Sequence, residues 1–119
     1  MKRKIRTITI NNKKYVWWHH IMNYTTSLFL SPENEKTTVI SVDFTDKCTD
    51  AEFNLAVTIK KDDIEKTVNI LNPAMSGLLL PYIQEHEIFV PHNQIVIDGR
   101  ELLSKMGYEI ISFKKGLDW

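Results

Sequence analysis

Asn72-Pro73-Ala74-Met75-Ser76-Gly77-Leu78-Leu79-Leu80-Pro81-Tyr82-Ile83-Gln84-Glu85-His86 is the most apolar stretch of the chain, and its reading decides the fold. Asn72 can cap a helix through its side-chain oxygen, and Pro73 suits the first helical position, where a missing N–H costs nothing. The spacing predicts a helix that turns Met75, Leu78, Leu79, Tyr82 and Ile83 toward a sheet. Gly77 is expected to allow close approach, and Pro81 to kink the helix or split it. The polar residues Asn72, Ser76, Gln84 and Glu85 are explained by capping or solvent exposure, so the helix reads as a builder of the core.

Upstream of it the chain alternates. Lys4 to Ile10 and Lys13 to Met22 have strand character, and Asn11-Asn12 between them suit the positive φ values of a type I′ hairpin turn. In that register Ile10 pairs with Lys13, Ile8 with Tyr15 and Arg6 with Trp17, and the Arg6 guanidinium can stack on the indole. Residues 23–27 read as a connection, Leu28-Phe29-Leu30 as a short strand and Ser31 to Lys36 as a charged turn. Thr38, Ile40, Val42 and Phe44 then share one strand face, as do Phe53, Leu55, Val57 and Ile59. Ile64 to Leu71 fits both periods, and its β-branched residues favour a strand paired with the previous one across Lys60-Lys61-Asp62-Asp63.

Downstream, Ile88 to Val90 and Gln94 to Ile97 are short extended pieces. Asp98 and Glu101 have the spacing of a capping box, which starts a two-turn helix that Gly107 stops. Tyr108 to Phe113 is extended again. The fold class expected is α+β: one domain over residues 1–119, an antiparallel sheet of five to six strands, and two or three short helices on one face.

Composition excludes several function classes. Of 119 residues 43% are hydrophobic, which marks an ordinary globular chain able to bury one core. Fifteen basic residues balance fifteen acidic ones, so no global field attracts nucleic acid or an anionic membrane. The single Cys48 excludes an internal disulfide framework and suits a reducing compartment. Met1-Lys2-Arg3-Lys4 is followed by alternation and not by the apolar run of a signal peptide, and Leu78 to Ile83 is far short of the ~20 residues of a spanning helix. A cytoplasmic location without membrane contact is expected.

No catalytic or cofactor signature stands out, and no metal or cofactor is expected. His19 and His20 are adjacent on a strand and point to opposite faces, so they cannot chelate one ion together. With the cluster Lys2, Arg3, Lys4, Arg6, Lys13 and Lys14 they define a competing reading, a small nucleic-acid binder or nuclease, which the zero net charge disfavours. The stronger candidates are partner-binding residues. An exposed Trp17 on the hairpin makes a protein-binding anchor, and the carboxylates of Asp43, Asp46, Asp50, Glu52, Asp62 and Asp63 form an acidic rim suited to a basic partner.

Four short segments carry a resemblance: Lys14-Tyr15-Val16-Trp17, Ile40-Ser41-Val42-Asp43-Phe44, Asn72-Pro73, and Ile97-Asp98-Gly99-Arg100-Glu101-Leu102-Leu103 leading to Gly107-Tyr108. Together they resemble small bacterial β-rich domains of the toxin-immunity type. The resemblance implies a cytoplasmic, non-enzymatic protein that binds one cognate toxin domain and occludes its active site. It carries over no functional residue. The near-neutral charge departs from the acidic balance expected of inhibitors of basic nucleases.

Overall fold

The computed structural model describes residues 5–22, 25–45, 56–70 and 72–114. Strands β1 (Arg6–Ile10) and β2 (Lys13–Met22) form the N-terminal hairpin in the predicted register, with Arg6 opposite Trp17 and Ile10 opposite Lys13. Asn11 and Asn12 turn it at φ 49° and 66°, the left-handed values that asparagine tolerates. The same device recurs where Asp62 and Asp63, at φ 52° and 63°, join β5 (Ala56–Lys61) to β6 (Ile64–Asn69). Residues 64–69 are therefore strand, and Lys61 pairs with Ile64 across the turn.

Sheet topology departs from the expected single antiparallel sheet. The described residues form eight strands and two helices, with the strands divided between two sheets. The first has the order β1-β2-β3-β4-β7, where β3 is Thr25–Pro32, β4 Val39–Thr45 and β7 Gln94–Asp98. The second has the order β6-β5-β8, with β8 at Glu109–Lys114. Strand β3 is eight residues long and takes in part of the expected connection, because the longer β2 continues to pair through Met22 opposite Thr25. Strand β4 does not neighbour β5. It pairs in parallel with β7, Val39 opposite Gln94 and Asp43 opposite Asp98, across a crossover that contains β5, β6 and the central helix.

That helix, α1 (Pro73–Glu85), begins as predicted: the Asn72 side chain accepts from the Ala74 N–H at 3.0 Å and Pro73 occupies the first turn. It is one continuous helix. Pro81 is exposed and removes only the bond to the Gly77 carbonyl. The buried face is rotated from the expected one: Met75, Ser76, Leu79, Leu80 and Ile83 are buried, while Leu78 and Tyr82 pack at its margin. Gly77 is not forced by sterics, since a Cβ there would meet only Ile8 Cδ1 at 3.8 Å.

The second helix, α2 (Gly99–Lys105), is capped by Asp98 Oδ1, which accepts from Arg100 N at 2.9 Å. It ends in a Schellman motif in which Gly107, at φ 94°, lets Gly107 N reach Ser104 O and Tyr108 N reach Leu103 O, both at 3.0 Å. Gly99 is where close approach matters: a Cβ there would lie 2.5 Å from Phe44 Cε1. Leu102 and Leu103 thereby reach the common core with Tyr15, Trp17, Leu28, Leu30, Ile40, Val42, Phe44, Val57 and Ile59.

Candidate functional site

Direct pairing across a sheet places side chains on the same face, so the register assigns the faces of the five-stranded sheet. Trp17, Leu30, Ile40 and Ile95 form one row on the core side, and His19, Leu28, Val42 and Ile97 the next. Trp17 is only 1% exposed, lies beneath the Arg6 guanidinium at 5.5 Å and belongs to the core cluster. The stacking is as expected, but the exposed anchor is not Trp17. Its indole is spent on packing, because β2 turns its odd-numbered residues inward.

The opposite face carries Trp18, Phe29, Ser41 and Val96 in one row across four strands. Trp18 and Phe29 are half-buried and stack with ring centroids 5.4 Å apart and planes within 9°. Val96, at the end of the row, is 68% exposed, and Ile5, at 60%, joins Val16 and Trp18 around a cleft of about 210 Å³. The parallel row beside it is polar: His20, Ser27, Asp43 and Asp98. Ser41 Oγ donates to Asp43 Oδ1 at 2.7 Å, which fixes the carboxylate next to the aromatic row.

The other predicted site residues do not assemble around it. Asp43 lies in the five-stranded sheet. Asp62 and Asp63 are exposed in the β5–β6 turn, where their ability to take positive φ gives them a structural task. Asp46, Asp50 and Glu52 lie outside the described residues. Of the described carboxylates, Asp43 thus belongs to the five-stranded sheet and Asp62 and Asp63 to a turn of the three-stranded one. Sequence reading treats Trp17-Trp18 as one core and one partly exposed indole but names the wrong one as the anchor, and it misses Phe29 and Val96. The alternation of β2 was the signal available, and choosing its inner face required the partner strands.

The histidines are dispersed. His19 is half-buried on the core side and its pKa is lowered, first by desolvation and then by the charges of Arg6 and His20, which favours the neutral imidazole. His20 is exposed on the other face. His86 caps α1, stacks on Tyr82 with centroids 4.0 Å apart and shares a hydrogen bond between Nδ1 and the Tyr82 carbonyl at 3.0 Å. His92 Nδ1 shares a 3.1 Å hydrogen bond with Thr37 Oγ1. Among the described residues no three His, Cys, Asp or Glu side chains are grouped to hold a metal, and no helix is long and apolar enough to cross a membrane.

The site and fold define the class as an α+β protein whose sheet face away from the core carries a half-buried aromatic pair, Trp18 and Phe29, beside the buried Ser41 and the exposed Val96. Comparison with known proteins finds no matching family model, no matching curated protein and no matching solved structure.

Proposed function

We propose that this chain is a protein-binding module without catalytic activity of its own, most concretely an immunity protein that binds a cognate bacterial toxin in the cytoplasm and covers its active site. The observation that carries this reading is the outward row of Trp18, Phe29 and Val96, flanked by Ile5 and bordered by His20 and Asp43. Aromatic side chains already held in place lose little entropy when a partner covers them, and a polar border supplies orientation. A solvated sheet face needs neither a stacked Trp–Phe pair nor two large aliphatic side chains exposed beside it.

The test is co-expression with the toxin-like product of an adjacent gene. A one-to-one complex is expected to co-purify, and Trp18→Ala to weaken it by about 2 kcal/mol, roughly thirtyfold. His20→Ala is expected to leave protection from the toxin intact. Absence of a complex at micromolar concentration, or full affinity after Trp18→Ala, overturns the reading.

A further inference from the structure

Among the described residues each sheet ends on two strands paired on one side only, β1 and β7 in the first and β6 and β8 in the second. Open edges invite pairing with other chains, and proteins blunt them with charges and irregularities. Strand β1 carries Arg6, and β6 carries Glu65 and Lys66. Strand β8 is bounded by Glu109 and Lys114, and its pairing with β5 shifts register at Thr58/Ile59. Strand β7, Gln-Ile-Val-Ile-Asp, has one charged residue, Asp98, whose carboxylate caps α2. With β1 it is the least charged edge among the described strands, each having a single charged residue.

The β7 edge lies in a cleft of about 420 Å³. Val96 points to the outer face of the sheet and Ile97 to the core side, yet both line this one cleft. A cavity reached from both faces of a strand runs along its rim. Tyr82, Ile88 and Leu102 make an apolar wall on the core side. Glu87, at φ 50°, ends α1 so that Ile88 N bonds Ile83 O at 3.1 Å, which directs Ile88 to that wall. Asp98, Glu101 and Lys105 border the cleft, and Lys105 is paired with Glu101 at 3.4 Å, leaving an excess of one negative charge.

We infer that the β7 edge is a strand-addition groove for an extended segment of the partner protein, one that alternates apolar residues with a basic residue placed beside Asp98. The inference rests on the protein-binding reading above and names the partner's recognition element. Main-chain hydrogen bonds to β7 supply affinity, and alternate side chains enter the wall of Tyr82, Ile88 and Leu102. Continuity supports it, because Val96 ends the Trp18–Phe29 row, so an added strand extends the proposed binding face. A single extended segment suits the groove better than a second copy, whose own α1 and α2 walls would arrive on the same side of the sheet.

The experiment uses seven-residue peptides alternating valine with lysine or valine with glutamate, and reads amide hydrogen exchange of the whole protein by NMR. The valine–lysine peptide is expected to slow exchange within Gln94–Asp98 and leave β1, β6 and β8 unchanged. The same peptide N-methylated at alternate positions is expected not to bind, and Val96→Lys, at an exposed position, to weaken binding by about tenfold or more. Equal protection of all edges, or equal binding of the glutamate peptide, overturns the proposal. Protection of β7 without peptide, together with concentration-dependent dimerisation, replaces it with self-pairing. A toxin complex that is weakened by Trp18→Ala but leaves amide exchange within Gln94–Asp98 as fast as in the free protein refutes the groove and keeps the protein-binding reading. Peptide protection at β7 with no toxin complex does the reverse.

Discussion

His19 shows how one side chain can tie stability to pH. It sits on the core side opposite Leu28, with Arg6 and His20 as charged neighbours, and its pKa falls below the 6.5 of an unperturbed imidazole. The unfolded chain therefore binds a proton that the folded one resists, so stability rises with pH between the lowered folded value and 6.5. Above 6.5 the contribution is fully present; as pH falls through that window it is lost, and below the folded value it stays lost. His19→Gln is expected to flatten this segment of the stability profile, measured by urea unfolding at pH steps from neutral to acid. An unchanged slope would show that another group carries the dependence. Gly99 is a second lesson at this scale. Sequence reading placed it correctly inside the capping sequence, but its close approach to Phe44 joins the start of α2 to the distant strand β4 and has no local signature.

At the scale of elements, α1 is held to the first hairpin by one polar side chain. Gln84 Nε2 donates to the Tyr15 hydroxyl at 2.9 Å and to the Ile10 carbonyl at 3.3 Å, and Gln84 Oε1 accepts from Asn11 Nδ2 at 2.8 Å. Tyr15 is buried, so its hydroxyl loses an interior partner if Gln84 is removed. Gln84→Ala favours the isolated helix by propensity, yet it is expected to destabilise the protein by about 1–3 kcal/mol. Combining it with Tyr15→Phe should recover part of that loss and give a coupling of about 0.5 kcal/mol or more in a double-mutant cycle. Gain of stability on Gln84→Ala alone would sink the account. The elements themselves were legible where the signal is local: the Asn11-Asn12 and Asp62-Asp63 turns, the Asn72 and Asp98 caps and the Gly107 stop. Gln84 read as solvent-exposed, and Ser76 likewise, although Ser76 is fully buried with no hydrogen-bond partner for its hydroxyl. Both errors arise because a helix pattern states which positions share a face but not what stands opposite.

The whole molecule is tied together by its last third. Strand β7 completes the first sheet beside β4, β8 completes the second beside β5, and α2 between them sends Leu102 and Leu103 into the shared core. Alternation in Thr38, Ile40, Val42 and Phe44 predicted a strand there, but nothing local announces a parallel partner 55 positions on, from Val39 to Gln94. That pairing decides that there are two sheets, and with them the open β7 edge and the outward aromatic row; the site was less legible than the elements for this reason. The same lacing makes a mechanical prediction. If one chain segment closes both sheets, neither can unfold alone, and the protein loses structure in a single transition. Fluorescence of Trp17 and Trp18 in the first sheet, read in a Trp119→Phe background, and amide exchange in β5 of the second are expected to report one midpoint in denaturant. Leu103→Ala, which leaves a cavity in the core between the sheets, is expected to lower both by the same amount, about 2–5 kcal/mol. Separate midpoints, or a Leu103→Ala effect confined to one sheet, would mean that the two sheets are held by their own hairpins and that β7 and β8 merely decorate them.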